Sequence, residues 1–328
     1  TGHYDRPMSA IDKVSKVSPT PVYQPRRAAR SVFVWVRGLR HHCHVWGEAS
    51  MAAPDRPTLV LAHGWMDVGA SFQFLVDQLP ADRHIVALDW RGFGRSHTPP
   101  GTDTYYFADY LGDLDALLRA SELGLADEPP IDLCGHSMGG NVVMLYAGVR
   151  PQRIRRLINL EGFGLPARKP EDAPRHHARW LDELRQPMRL RDYATIEDVA
   201  RRLIENNPRL DAERAAWLAP HWSEPDGQGR WRIQGDPAHR RVHAVMYRVD
   251  EILAHWRAIT APVLWVEGRQ TDMTQWWGDR FPREEFEQRL GMVSRLRRVV
   301  LEDCAHMLHL DQPEALASAV EQFLTDPM

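Results

Sequence analysis

CGHSMGG, residues 134–140, places Ser137 between Gly135 and Gly139 directly after an apolar run, residues 131–134. Gly-x-Ser-x-Gly is the spacing of a nucleophile elbow, a sharp strand-to-helix turn that exposes the serine hydroxyl. Glycines are needed there because the turn is tight and its backbone crowds the neighbouring segments. A serine between glycines also occurs in ordinary turns, so the rest of the chain decides between a turn and a nucleophile.

The composition is that of a globular protein, with 328 residues, 43 % of them hydrophobic and 26 % charged. A net charge of −3 argues against nucleic acid or a strongly anionic membrane as the partner. No run of 18 apolar residues occurs, and residues 1–30 have no apolar signal segment, so we expect neither stable membrane insertion nor secretion. Three cysteines are too few for a disulfide framework and favour a cytoplasmic location.

Short apolar runs bounded by turn residues predict strands that are buried on both faces of a parallel sheet. They occupy residues 58–62, 84–89, 131–134, 156–160, 262–266 and 299–302. Segments with apolar residues three and four apart separate them and predict helices at 72–79, 105–118, 138–148, 284–290 and 313–324. Residues 31–36, which precede them, alternate, and residues 39–46 follow after Arg37-Gly38, so this stretch predicts a hairpin. This alternation predicts an α/β fold with a mostly parallel, doubly wound sheet.

The alternation is interrupted once, between Phe163 and Thr260, where only helical segments rich in arginine, acidic residues and tryptophan are found. We therefore expect a helical cap, residues 163–260, inserted into a core formed by residues 31–162 and 261–328. Residues 1–30, polar and rich in proline over most of their length, are expected to form a loose tail.

An acyl-transfer serine needs a base, an acid that orients the base, and donors for the developing oxyanion. His306 follows the last predicted strand and is the candidate base. The backbone N–H groups of Trp65 and Met138 are the candidate oxyanion donors. All of these lie where predicted strands end, which is where open α/β sheets place their chemistry.

Four motifs in this order resemble those of the α/β-hydrolase superfamily. They are HGW at 63–65, DWRGFGRS at 89–96, GHSMGG at 135–140 and CAHMLHLDQPE at 304–314. The stretch HGWMDVGASFQFLVDQLP, residues 63–80, is most similar to the serine-hydrolase-like branch of that superfamily. The resemblance covers about residues 30–160 and 260–328. It implies a Ser-His-acid site under a helical cap, acting without a cofactor on esters or related carbonyl compounds.

The sequence leaves open which acidic residue orients the base. Similar enzymes carry it after the strand before the last one, commonly three residues beyond a glycine, and Asp272 lies four residues beyond Gly268. Other relatives carry it one strand earlier, where Glu161 stands. A loop accommodates an extra residue easily, so we expect Asp272, with Glu161 as the alternative. The remaining possibilities are Glu267, Asp303 or no acid at all.

Other histidines and cysteines have structural interpretations. We expect His63 to hold the oxyanion loop, His136 to pack beside the elbow, and His309 to begin the last helix. In HHCHVWGE, residues 41–48, strand alternation puts His42 and His44 on one side of the strand and His41 and Cys43 on the other. Two histidines alone make a poor metal site, so we expect a hairpin facing solvent and no metal site here. Cys304 is expected to be a buried, unreactive thiol.

The predicted substrate pocket is apolar, with Met66, Phe163 and Met307 among its lining residues. These patterns predict a serine hydrolase that cleaves a carboxylic ester or acyl thioester with an apolar acyl group, through an acyl-enzyme on Ser137. A carbon–carbon bond hydrolase with the same triad and a non-catalytic receptor for a small ligand remain as alternatives.

Overall fold

An eight-stranded sheet organises the chain, which a computed structural model describes over residues 18–327. The strand order is β1-β2-β4-β3-β5-β6-β10-β11. These strands are β1 (Arg30–Val36), β2 (Leu39–Trp46), β3 (Leu59–Ala62), β4 (Ile85–Leu88), β5 (Ile131–His136), β6 (Ile154–Leu160), β10 (Val263–Gly268) and β11 (Leu296–Leu301). The last six in the spatial order are parallel, and β1 and β2 are antiparallel additions at one edge. The prediction of a mostly parallel α/β sheet is confirmed.

Helices cover both faces of the sheet, and others lie in the segment inserted between β6 and β10. They are α1 (Gln73–Val76), α2 (Phe107–Leu117), α3 (Met138–Val149), α4 (Ala173–Leu184), α5 (Ile196–Asn206), α6 (Ala212–Trp222), α7 (Val249–Ala258), α8 (Thr274–Trp277), α9 (Arg283–Leu290), α10 (Leu308–Asp311) and α11 (Pro313–Thr325). One apolar core includes Leu114 of α2 and Tyr146 of α3, and the other includes Leu75 of α1 and Phe323 of α11. Strands β3, β4 and β5 are buried throughout, which explains their unbroken apolar runs.

Strand β2 of the first hairpin is buried, so the expectation that residues 41–44 face solvent is wrong, whereas the edge strand β1 is partly exposed. Strand β2 pairs with β1 on one side and with β4 on the other. His42 Nδ1 lies 2.7 Å from Asp89 Oδ2, and His41 Nε2 lies 3.2 Å from Asp113 Oδ2. These histidines are polar, but each is matched to a buried carboxylate, a long-range contact that strand alternation does not reveal.

The segment between β6 and β10 contains four helices, α4 to α7, and a small three-stranded sheet in the order β7-β9-β8. Its strands are β7 (Asp192–Tyr193), β8 (Ser223–Pro225) and β9 (Trp231–Ile233). The expectation of helices alone is therefore wrong here. Strands of two or three residues are too short to produce an alternating pattern that can be recognised in a sequence.

The expectation of a loose tail is contradicted for residues 18–30, the part of it that the structure describes. The Tyr23 hydroxyl donates to Asp77 at 2.6 Å, and the Arg27 side chain donates to the Arg83 carbonyl at 2.9 Å. Residues 1–17 of that expected tail lie outside the described residues.

His239 attaches the inserted segment to the core. Its ring stacks between Phe93 and Tyr105, with centroid separations of 3.6 Å to each, and Tyr105 donates to Asp236 at 2.7 Å. Burial lowers the pKa of His239 to about 3, because a charged imidazole would lose its hydration there.

This burial predicts acid sensitivity. The unfolded chain takes up a proton on His239 near pH 6.5 while the folded chain does not. This group therefore costs no stability above that pH, and the free energy of unfolding decreases as pH falls toward 3. Between pH 6.5 and 4.5 the loss from this group is about 2–3 kcal/mol at 1.36 kcal/mol per unit. We expect His239→Phe, which retains the stacked ring, to flatten the pH dependence of urea unfolding by that amount. The exposed His177→Gln serves as the control, and equal slopes in the two variants would contradict the assignment.

Within residues 18–327, no helix combines the length and the apolar character that crossing a bilayer requires. Cys43, Cys134 and Cys304 are free and buried. Burial is the largest cause that raises the pKa of the Cys304 thiol, to about 12, so this thiol stays protonated.

Candidate active site

Ser137 stands in the sharp turn between β5 and α3. Its backbone has φ 54° and ψ −117°, a conformation that costs a non-glycine residue about 1–3 kcal/mol. A Cβ atom on Gly135 would collide with the backbone of Gly139, and one on Gly139 would collide with the carbonyl of Ala62. The two glycines are therefore required by close backbone contacts, and the turn is the one that the sequence predicts.

Strained residues concentrate at this edge of the sheet. Among the non-glycine residues of the described chain, five have a positive φ, and four of them follow parallel strands: Met66, Ser137, Glu161 and Asp303. Backbone strain of this kind persists where the surrounding structure enforces it, and it is concentrated at functional sites. The carboxyl edge of the parallel sheet is accordingly the functional edge.

The His306 ring lies between Ser137 and Glu161. Its Nε2 is 3.0 Å from the Ser137 Oγ atom, and its Nδ1 is 2.5 Å from Glu161 Oε2. Ser137 directly follows β5, and Glu161 directly follows the adjacent strand β6. His306 lies five residues beyond β11. The hydrogen-bond chain thus joins three segments that are far apart in sequence.

Asp272 does not reach this ring, and the expectation that it would do so is corrected to Glu161. Asp272 is exposed, and its carboxylate accepts hydrogen bonds from the Thr274 backbone at 2.9 Å and the Thr274 hydroxyl at 2.6 Å. It therefore supports the short helix α8. The extra residue after Gly268 moves the carboxylate out of the site instead of being absorbed by the loop.

Thr271 occupies the position three residues beyond Gly268, where similar enzymes carry the acid. Its hydroxyl donates to Glu161 Oε1 at 2.5 Å, and the Gly268 backbone N–H donates to the same oxygen at 2.8 Å. Glu161 is 1 % exposed, so these two bonds satisfy one oxygen of a buried carboxylate while the other faces His306. The end of β10 and the loop after it therefore supply hydrogen-bond donors to Glu161 and place no carboxylate of their own beside His306.

The other two acid candidates point elsewhere. Glu267 forms an ion pair with Arg283 at 2.6 Å, and Asp303 is exposed. With Glu161 against the ring, neither has a role beside His306.

The loop after β3 packs against the elbow. A Cβ atom on Gly64 would stand 3.1 Å from the Cβ atom of Ser137, and the Trp65 indole donates to the His239 carbonyl at 3.0 Å. Met138 is the first residue of α3, so its N–H has no acceptor within the helix. His63 holds the loop, as expected, by accepting the Trp90 N–H at 3.1 Å.

A cavity of about 450 Å³ adjoins the site. Asn141, one turn beyond Ser137, and Trp276, whose ring lies 4.6 Å from that of His306, connect the cavity to the hydrogen-bond chain. Its apolar lining includes Phe107, Leu145, Leu165, Ile252, Trp256 and Trp277. The volume is within the range of pockets that hold small organic ligands.

The expected pocket residues do not line this cavity. Phe163 is 2 % exposed and packs behind Trp276 and Trp277, at ring separations of 6.0 and 6.4 Å. Met66 and Met307 pack against apolar clusters outside the lining. The two adjacent tryptophans were missed, although a TQWWGD sequence after a parallel strand was a signal that could have identified them.

Comparison with known proteins settles the family. The family model described as the alpha/beta hydrolase fold matches residues 57–313. The chain belongs to this family. The resemblance seen in its motifs is therefore confirmed.

Individual relatives of this α/β hydrolase cover nearly the whole chain. A serine hydrolase-like protein from Danio rerio is 25 % identical over 91 % of this chain and 89 % of its own length. A 3-hydroxybutyrate-oligomer hydrolase from Cupriavidus necator is 26 % identical over 85 % of this chain and 91 % of its own length. The structure of the thioesterase domain from the curacin biosynthetic pathway superposes with a TM-score of 0.76 and 26 % identity, covering 90 % of this chain and 99 % of that one. These likenesses support a serine hydrolase-like member of the family.

Proposed function

We propose that this α/β hydrolase cleaves carboxylic esters or acyl thioesters with an apolar acyl group, using Ser137 as nucleophile, His306 as base and Glu161 as the orienting acid. The observation that carries the proposal is the hydrogen-bond chain from Ser137 through His306 to Glu161. Trp276, which contacts the His306 ring, also lines a mainly apolar cavity. A nucleophile, a base within hydrogen-bond reach and a third group that orients the base form the arrangement that activates a serine.

The chemistry proceeds through an acyl-enzyme. Because Glu161 accepts a hydrogen bond from the Nδ1–H group of His306, the proton stays on Nδ1 and Nε2 carries a lone pair. Nε2 then removes the proton of Ser137 as Oγ attacks the carbonyl carbon. The N–H groups of Met138 and Trp65 stabilise the oxyanion, each contributing about 10²–10³ in rate. The intermediate collapses, and the departing alcohol or thiol takes the proton from Nε2. Water, deprotonated by His306, then attacks the acyl ester, and Ser137 leaves with the proton as the carboxylic acid forms.

The cavity supports an apolar acyl chain. Its walls are mainly aliphatic and aromatic side chains, and each methylene buried there contributes about 0.8 kcal/mol, or roughly fourfold in binding. The names of two relatives support the type of bond that is cleaved, since one is a hydrolase of 3-hydroxybutyrate oligomers and the other is a thioesterase domain.

The experiment is a substrate panel on purified protein: p-nitrophenyl esters from acetate to long acyl chains, the matching acyl thioesters, and a β-diketone as a carbon–carbon bond substrate. We expect kcat/KM to rise by about fourfold per methylene and then to reach a plateau when the cavity is filled. Turnover of the diketone alone would favour the carbon–carbon bond hydrolase. A stable adduct with no turnover of any substrate would favour the non-catalytic receptor.

Filling the cavity should shorten the preferred acyl chain. Ile252 is half-buried on α7 and lines the cavity, so Ile252→Trp places an indole in the space of the distal methylenes. Losing two or three methylene contacts costs roughly 1.6–2.4 kcal/mol, and we expect kcat/KM for long-chain esters to fall by about 15–60-fold with acetate hydrolysis unchanged. Leu181→Trp, at a residue that is 49 % exposed, is the matched control. An unaltered chain-length profile in Ile252→Trp would show that the acyl chain binds elsewhere.

A further inference from the structure

Three buried polar side chains converge behind the His306 ring: Asp67, His136 and His309. They are 6 %, 2 % and 0 % exposed, and one ligand-type atom from each lies within 4.8 Å of the others. The His136 ring is 4.8 Å from that of His306 and 4.6 Å from that of His309. The hydrogen-bond chain from Ser137 to Glu161 uses none of the three side chains.

The tautomer of His136 is set by its surroundings. Its Nε2–H donates to the backbone carbonyl of His306 at 2.7 Å, so Nδ1 carries a lone pair. Among residues 18–327, Nδ1 has no hydrogen-bond partner. A ring nitrogen bound to a backbone carbonyl, with the other nitrogen free, is the usual state of a metal-ligating histidine.

Asp67, like His136, has one polar atom in hydrogen bonds and one without them. Oδ1 accepts the Val68 N–H at 2.9 Å and a hydrogen bond from the Ser71 hydroxyl. Oδ2 lies 3.6 Å from His309 Nε2, beyond hydrogen-bond distance. In the described part of the chain, Asp67 Oδ2 and both ring nitrogens of His309 lack hydrogen-bond partners. The cluster therefore holds four buried polar atoms without hydrogen bonds, of which Asp67 Oδ2 and His309 Nε2 face each other at ion-pair distance. A buried polar atom with no partner at all costs about 1–3 kcal/mol.

The donor set and spacing fit a transition-metal ion. Two imidazoles and a carboxylate are ligands that Zn²⁺ takes, and tetrahedral bonds of about 2.0–2.2 Å place ligand atoms about 3.3–3.6 Å apart. The Asp67–His309 separation of 3.6 Å already meets this spacing. The remaining pairs lie within 4.8 Å, so binding would draw these ligand atoms together by up to about 1 Å.

The other buried His-Asp group, formed by His42, His44 and Asp89, lacks these features. Both ring nitrogens of His42 are engaged, by Asp89 at 2.7 Å and by the Ser31 hydroxyl at 2.9 Å. Asp89 also accepts the backbone N–H groups of Gly69 and Arg95. With its lone pairs occupied, that group is a hydrogen-bond network and a suitable control.

We propose that Asp67, His136 and His309 form a binding site for a single Zn²⁺ ion. The ion would join the loop that carries Trp65, the elbow that carries Ser137 and the segment that carries His306, since each ligand lies within three residues of one of these. Binding adds no step to hydrolysis, and it stabilises the folded chain by mass action. The proposal is independent of the hydrolytic function.

The test uses full-length Ser137→Ala protein, freed of metal with a chelator and titrated with Co²⁺ as a spectroscopic probe and then with Zn²⁺. We expect the visible bands of tetrahedral Co²⁺ to saturate at one equivalent, Zn²⁺ to displace them, and Zn²⁺ to raise the Tm. Adding His309→Gln or Asp67→Asn should weaken binding by more than about 100-fold, since outer partners alone are worth 10–100-fold. Adding His44→Gln should leave it unchanged.

A ligand exchange guards against misfolding of those variants. His309→Cys supplies a thiolate at the same position, and we expect retained binding with a new thiolate-to-cobalt charge-transfer band. The same band in the parent protein would place the ion on a native cysteine and overturn the proposal. So would the absence of one-equivalent binding in the parent, or bands that survive both His309→Gln and Asp67→Asn; the cluster would then be an Asp-His ion pair only.

Discussion

Ser137→Ala is expected to lower kcat for the best p-nitrophenyl ester by about 10⁵–10⁶-fold, because no other group can form the acyl-enzyme. The residual rate comes from substrate binding and the oxyanion donors. A fluorophosphonate probe should add one adduct to the wild-type mass and none to this variant. Since alanine removes a single oxygen from a strained turn, the fold should be retained.

Ser121→Ala, at an exposed serine in a different segment, is the control and should keep both labelling and turnover. If Ser137→Ala still labelled with the probe, the nucleophile would be another residue and the proposed mechanism would fail.

The second large effect concerns the acid. Glu161→Gln should lower kcat by about 10⁴-fold, because a neutral amide neither stabilises the imidazolium nor holds the tautomer in which Nε2 is the base. Asp272→Asn should change kcat by less than about threefold, since that exposed side chain contacts Thr274 and not His306.

The two variants are matched, each replacing one carboxylate by its amide. Circular dichroism and thermal unfolding would show whether Glu161→Gln remains folded. A larger loss in Asp272→Asn than in Glu161→Gln would mean that the α8 loop rearranges when substrate binds and that Asp272 is the acid.

Thr271 contacts Glu161, the residue proposed as the acid. The position after β10 that carries the acid in similar enzymes here carries a hydroxyl that donates to Glu161 at 2.5 Å. Strands β6 and β10 are neighbours, so either can deliver a carboxylate to the same place beside His306. The strain at Glu161, with φ 54°, turns its side chain toward the ring.

The parallel α/β sheet, the turn at Ser137 and the position of His306 beyond the last strand could all be predicted from the sequence. Each of these follows from a local pattern: buried apolar runs, two glycines at fixed spacing around a serine, and a histidine just beyond the last strand. Burial on both faces removes polar residues from the central strands, and this leaves a direct mark on the sequence.

The folded chain was needed to show which carboxylate lies beside His306, which residues line the cavity and what surrounds the histidines of the first hairpin. These depend on which loop turns inward and which strands become neighbours, and a shift of one residue in a loop is enough to move a carboxylate out of reach. Asp272 and Glu161 are both acids beyond the end of a parallel strand, and no local pattern separates them. A hydrogen bond between residues that are 145 positions apart in sequence, such as that between His306 and Glu161, is a property of the folded chain.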